Sequence, residues 1–354
     1  MFKLLRKVLI FASILYLYFF ISPMSIKQGG AYVLNMISGE AVDNTEAVRV
    51  DGSYICMGGG AGFYNRDLGV VNSVNSGIEH EVVINKYGYI IYEKVGTEIK
   101  GFSSDNRELF VVQTTGYPYF AGDYPCFFVI KSNGMGFTRY NMRGEKEFDG
   151  VDYTSIITSL STNLNQDTIV TTFLGGVFVY GMDGTVKYEY INSNIANDSA
   201  FVKSAAISND GKIMAIVVGS ESEVVSVYNI DSKSILFSIN KDSMHPYRSF
   251  INIVNKDIYT EDGKNISRYS IKNAHRFDYS FDGELITALV SGDRKLMIVS
   301  ANNGRNYYRV YSYSGELLFQ RDYSSDSGLV AFDETGLIII KVNEYLLRFE
   351  MERA

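Results

Sequence analysis

Beyond about residue 30 the chain alternates short apolar runs with clusters of Gly, Asn, Asp and Ser. The runs are rich in Val, Ile, Tyr and Phe, which suit a pleated, half-buried surface, and the clusters between them are turn formers. Ile213-Met-Ala-Ile-Val-Val218, Leu285-Ile-Thr-Ala-Leu-Val290 and Leu337-Ile-Ile-Ile-Lys-Val342 are of strand length and apolar on both faces. No long stretch carries the 3.6-residue period of an amphipathic helix. The pattern predicts an all-β chain.

A strand-plus-hairpin unit recurs. It reads Tyr140-Asn-Met-Arg-Gly-Glu-Lys-Glu-Phe148, Tyr180-Gly-Met-Asp-Gly-Thr-Val-Lys-Tyr188 and Tyr228-Asn-Ile-Asp-Ser-Lys-Ser-Ile-Leu-Phe237. Tyr269-Ser-Ile-Lys-Asn-Ala-His-Arg-Phe277 and Tyr311-Ser-Tyr-Ser-Gly-Glu-Leu-Leu-Phe319 continue it. The leading tyrosines are 40, 48, 41 and 42 residues apart; Tyr92 extends the series backwards by 48 and Phe349 extends it forwards by 38. A period of ~40–50 residues with several short strands per unit predicts a single β-propeller over residues 46–354. Seven anchors imply seven blades, with six or eight as alternatives because Phe63-Tyr64 could mark a further short one. A second element, Ser208-Asn-Asp-Gly211 and Ser280-Phe-Asp-Gly283, keeps step, with Asp333-Glu-Thr-Gly336 and Ser104-Asp-Asn-Arg107 as looser copies. Asp-Gly supplies the positive φ of a tight turn. Only Glu350 to Ala354 follow the last anchor, so the final blade lacks an outer strand. Part of Ala31-Tyr-Val-Leu-Asn-Met-Ile37 is expected to supply it; the competing reading of residues 26–45 is a plain stalk.

These segments resemble the degenerate repeats of bacterial propellers related to the WD40 and quinoprotein-like superfamilies. The resemblance spans residues 46–354 and implies architecture alone. The chain has no Trp, hence no Trp-Asp dipeptide and no Trp for the quinoprotein docking motif. No cofactor or catalytic residue of those families carries over to a position here.

Residues 1–25 are different in kind. Lys3, Arg6 and Lys7 precede the uncharged run Val8 to Ile21. Counted from Leu4, the apolar segment gives a helix of about 18 residues, near the lower limit of a bilayer span. The basic flank stays inside by the positive-inside rule, which places the rest of the chain outside the cytoplasm. A cleaved signal peptide has an apolar region of this length too, but Ser22-Pro23-Met24-Ser25 is a poor cleavage site. An uncleaved, single-pass, N-in anchor in the cytoplasmic membrane is the reading taken.

Composition then narrows the function. Forty acidic residues against 33 basic ones, net −7, argue against nucleic acid, whose phosphates require Lys and Arg. Three His (His80, His245, His275) fall in different blades, so no metal site is expected. Cys56 and Cys126 also lie in different blades; an exported chain can keep a disulfide, and two separate buried thiols fit equally. Met57-Gly-Gly-Gly-Ala-Gly62 is not followed by a helix, so it is no phosphate loop. Ser324-Ser-Asp-Ser-Gly328 matches half of a sialidase Asp-box but has Ala331 where those boxes end in Trp. Glu145, Glu147, Asp149, Asp152, Glu221 and Glu223 read as solvated carboxylates. No catalytic, cofactor-binding or metal-binding residue is assigned.

The segment Thr114 to Phe128 is the most unusual, with three Tyr, three Phe and two of the four Pro. Tyr is enriched at binding hot spots. Tyr117, Tyr119, Phe120 and Tyr124 are therefore the expected protein-binding residues. The reading is a membrane-anchored extracytoplasmic propeller that serves as a non-catalytic scaffold for another envelope protein. The alternatives are a small-ligand sensor, or a hydrolase or lyase with its site at the channel mouth.

Overall fold

The computed structural model describes residues 53–57, 60–64, 70–75, 80–85, 87–121, 124–191, 201–219, 222–241, 249–332, 337–342 and 345–350. Every regular element among them is a β-strand. The strands form eight antiparallel sheets taken in chain order, six of four strands and two of three. The first holds Ser53–Met57, Gly60–Tyr64 and Val70–Asn75, and the others span 80–113, 117–149, 157–191, 202–240, 251–280, 284–324 and 328–350. Each is a simple meander. Residues 1–25, with the expected anchor, and Ala31 to Ile37, with the expected closing strand, lie outside the described residues.

The apolar runs bury both faces because each sheet from the second to the seventh is sandwiched between two others. In the fourth sheet Val170, Phe178 and Tyr180 pack toward the third. Their alternating neighbours Ile169, Val177 and Val179 pack toward the fifth. Ala215, Val217 and Val227 then join the fifth sheet to Ile253 and Ile258 of the sixth. Tyr279 and Ile298 join the sixth to the seventh, and Tyr308 and Ile338 the seventh to the eighth. A core shared between neighbours in this way leaves no sheet stable alone.

The recurring tyrosine has a defined place. In six sheets the pairing of the third strand with the fourth slips by one residue, at Phe63/Tyr64, Gly101/Phe102, Arg139/Tyr140, Val179/Tyr180, Val227/Tyr228 and Val310/Tyr311. Such a bulge re-aims the side chain and bends the strand into the hairpin. Tyr64 is thus a full repeat position, and its sheet adds one to the seven that the sequence anchors counted. Tyr92, by contrast, lies on a second strand, Gly88–Glu93, and Phe102 is the true member of the series. The Ser-x-Asp-Gly element does not hold one place either. Ser208 to Gly211 joins the first and second strands of a sheet, and Ser104 to Arg107 the third and fourth. Ser280 to Gly283 links two sheets.

Bulges also identify what the end sheets lack. The slip at Phe63/Tyr64 marks the first sheet's strands as second, third and fourth. The slip at Leu329/Ala331 matches the first-to-second slips at Ile157/Ser159, Val202/Ser204 and Leu285/Thr287. The eighth sheet is therefore first, second and third. Among the described residues the first sheet thus lacks a first strand and the eighth a fourth.

In place of a docking Trp, neighbouring sheets use Phe against Gly. Phe110, Phe148 and Phe277, each on a fourth strand, lie against Gly144, Gly184 and Gly315 in the third-to-fourth turn of the next sheet. All three glycines have positive φ, at 75°, 82° and 90°. Buried Arg139 adds a polar link, donating to the Gln166 backbone oxygen at 2.8 Å and to Gln166 Oε1 at 2.9 Å in the following sheet. Its charge is met by Glu147 at 2.6 Å.

Candidate functional site: one face of the ring of sheets

Antiparallel meanders send their connections to two faces. The first-to-second and third-to-fourth hairpins emerge on one, and the second-to-third and sheet-to-sheet connections on the other. The three longest connections between described strands, 150–156, 192–201 and 241–250, all start and end on this second face. They follow one another between the third and sixth sheets. Binding residues concentrate on such loops when a rigid scaffold carries them.

Backbone and ring contacts tie the connection 150–156 to its neighbours in one ridge. Tyr153 N–H donates to the Met135 oxygen at 2.7 Å, and Ile157 N–H to the Gly134 oxygen at 2.8 Å. Phe173 N–H reaches the Ile156 oxygen at 3.0 Å, and Leu174 N–H the Ser155 hydroxyl at 2.9 Å. The Phe173 and Phe201 rings then meet at 5.4 Å. Along the ridge Val151, Phe173 and Leu174 are 45%, 50% and 42% exposed, and Ile191, nearby on the same face, is 61% exposed. Large apolar side chains left in water by a chain that buries so many others are a binding signal.

Beneath the same face lies a buried ionic cluster. Glu223 stands between Lys203, at 2.7 Å, and Lys241, with no side-chain exposure at Glu223 or Lys241. Lys241 also donates to the Ser249 hydroxyl, and the Ser204 hydroxyl to the Ser249 carbonyl. Both stems of the 241–250 connection are thereby fastened to the fifth sheet. A Lys beside a Ser can act as a base only when neutral. Here Lys241 is paired with Glu223 and Ser249 is buried, so the cluster is a clamp. Lys203 sits at the bulge between Val202 and Ser204, which turns it onto Glu223.

The expected binding residues divide. Tyr117 opens a first strand on the ridge face and is 40% exposed. Tyr119 and Phe120 are core residues at 6% and 0% exposure, and Tyr124 packs against that core from the opposite face. Their aromaticity is explained by packing: Phe120 meets Phe127 edge-on, and Phe127 stacks on Phe110 at 4.8 Å. Sequence reading missed Phe173 and Leu174 because their signal, two large apolar residues beside Gly175 in a tight turn, resembles a strand end.

Other candidates have structural partners. Glu145 accepts from Asn141 Nδ2 at 2.7 Å, Asp149 from the Thr138 hydroxyl at 2.7 Å, and Asp152 pairs with Lys131. His80 lies 3.5 Å from Glu93. Among the described residues no cluster of His, Cys, Asp and Glu is arranged to hold a metal ion. Glu223 is buried, contrary to its expected solvation. Cys126 is a free buried thiol, pushed up to about 11 by burial, which leaves it unreactive at neutral pH. Among the described residues no helix is long and apolar enough to cross a membrane.

A family model described as "beta-propeller protein" matches residues 5–256, well over half of the chain. The chain belongs to this β-propeller family. A search of curated proteins returns no match. Among solved structures the propeller is similar to the computationally designed Ika8 protein, with a TM-score of 0.60 at 15% identity over 87% of this chain and 96% of that one. It is similar to BamB from Moraxella catarrhalis, with a TM-score of 0.59 at 8% identity over 89% and 99%. The dihydro-heme d1 dehydrogenase NirN in complex with DHE also gives 0.59, at 11% identity over 87% and 75%. At such identities the likeness is one of fold.

Proposed function

We propose that this propeller is a non-catalytic scaffold, held by residues 1–25 at the outer face of the cytoplasmic membrane, that binds another envelope protein through the Val151–Phe173–Leu174 ridge. One observation carries the reading: Phe173 and Leu174, hydrogen-bonded to the connection 150–156, lie exposed with Val151 on one face. One fold neighbour is a dehydrogenase bound to its ligand, so the fold does not choose between scaffold and enzyme. The choice rests on side chains. Among the described residues Asp149, Asp152 and Glu223 on this face are tied to Thr or Lys, whereas the ridge offers an aromatic and aliphatic surface of the kind that anchors protein partners.

Crosslinking in intact cells followed by affinity purification tests this. Wild type should retain one stoichiometric envelope protein, and a Phe173→Ala, Leu174→Ala variant should lose it. Truncating a central hot-spot pair weakens binding by at least about 2 kcal/mol, roughly thirtyfold. Tyr119→Ala should instead lower the melting temperature, since its ring is core. No partner above background, or equal capture by both proteins, rejects the scaffold.

A further inference from the structure

The opposite, hairpin face carries a feature that the scaffold reading does not use. Between the fourth and fifth sheets lies a cleft of about 360 Å³, lined by Lys187, Asp210, Lys212, Ile230, Asp231 and Lys233. Two hairpins of the fifth sheet each present an Asp-x-Lys pair to it: Asp210-Gly-Lys212 and Asp231-Ser-Lys233. Lys187 is already committed to buried Asp167 at 2.7 Å. Gly211 lies directly over that carboxylate, where a Cβ would collide with Asp167 Oδ2. Asp210 is oriented by the Ser208 hydroxyl at 2.6 Å and the Lys212 N–H at 3.1 Å, both on one oxygen, and the Ser208 bond holds its carboxyl below the usual range. No ion pair forms between either of the other two lysines and either aspartate, although all four line one cleft.

The cleft therefore offers separated donors and acceptors with no excess of charge: Lys212 and Lys233 against Asp210 and Asp231, with Lys187 neutralised by Asp167. An anion would meet the two carboxylates, and a cation the two ammoniums. A hydroxyl donates and accepts at once, so neighbouring hydroxyls match an Asp beside a Lys. Ile230, buried between the fourth and fifth sheets, closes the floor of the cleft. Lys233 holds this position at φ 53°, a left-handed conformation that is uncommon and costly for a residue with a side chain. The groove is open rather than enclosed, so it suits a chain passing through it better than a small molecule, which needs most of its surface covered.

We propose that this cleft binds a neutral saccharide chain, with Asp210–Lys212 and Asp231–Lys233 each engaging adjacent hydroxyls. The inference is independent of the protein-binding ridge, which lies on the other face.

The test uses the full-length chain on an array of short neutral oligosaccharides, β-1,4-linked glucose and N-acetylglucosamine among them, with sulfated oligosaccharides alongside. Wild type should retain a neutral member. Asp231→Ala and Lys233→Gly should each weaken retention by about tenfold or more. Lys233→Gly is the decisive variant, because glycine accepts positive φ and the protein should melt no lower than wild type. Its loss of binding would then not be a loss of fold. No retained neutral saccharide, retention unchanged in both variants, or retention of sulfated members alone would each overturn the proposal, the last making the cleft an anion site.

Discussion

Glu223→Ala is expected to destabilise the propeller by about 3–5 kcal/mol, because it leaves two buried ammonium groups without the carboxylate between them. Lys203 and Lys241 have side-chain exposures of 4% and 0%, so water cannot take over that role without the sheet opening. The drop in melting temperature should be on the order of 10 °C for a domain this large. Replacing all three charged residues by Leu or Met should recover much of the loss, since the cost lies in the stranded charge and not in the missing contact. Thermal and urea unfolding monitored by circular dichroism read both. A Glu223→Ala protein within about 1 kcal/mol of wild type would mean the cluster is far wetter than its burial indicates. The consequence for function is local, because the clamp fastens both stems of the 241–250 connection to the fifth sheet.

Gly184→Ala is expected to be nearly as damaging. The turn needs φ of 82° there. An alanine Cβ would also stand 2.6 Å from Cγ of Phe148 in the preceding sheet. The left-handed penalty and the forced repacking together cost roughly 2–4 kcal/mol. The double change Gly184→Ala, Phe148→Leu should relieve the clash but keep the backbone penalty, so the two substitutions should not be additive. Additive losses in a double-mutant cycle would show that Phe148 and Gly184 do not touch. Because Gly144 and Gly315 repeat the arrangement, the result bears on how three neighbouring pairs of sheets are held.

Much of the architecture could be read from the residues, because propeller repeats write the same strand-turn-strand pattern many times over. Tyr140, Tyr180, Tyr228, Tyr269, Tyr311 and Phe349 all fall on third strands, as their spacing implied. The register failed where local signals are degenerate. Tyr92 and Phe102 are both aromatic residues near strand ends, and only the bulge beside Phe102 separates them. With Phe102 in the series, Tyr64 follows naturally, and the described residues form eight sheets, within the six to eight that the sequence allowed. The Ser-x-Asp-Gly turns misled for a related reason, since any tight reversal favours those residues wherever it occurs.

The site was less legible. Aromatic density drew attention to 114–128, yet density does not distinguish a ring that packs inward from one that faces out. Tyr119 and Phe120 pack into the cores on the two sides of their sheet, while Tyr117 at the start of the strand stays exposed. Phe173 and Leu174 gave no such signal, and their exposure depends on the connection 150–156 rising beside them. Glu223 read as one more acidic residue in a polar loop. Its burial follows from Lys203 and Lys241, which are 20 and 18 residues away and come together only in the folded sheet.

The central claim is that a partner protein covers the ridge face, and site-specific photo-crosslinking in intact cells tests it most directly. A photoreactive amino acid placed at Phe173 is compared with one at Met182, which is 53% exposed on the hairpin face. The account predicts one discrete crosslinked envelope protein from position 173 and none from 182. Equal crosslinking from both positions, or none from 173 in a protein that melts like wild type, would contradict it.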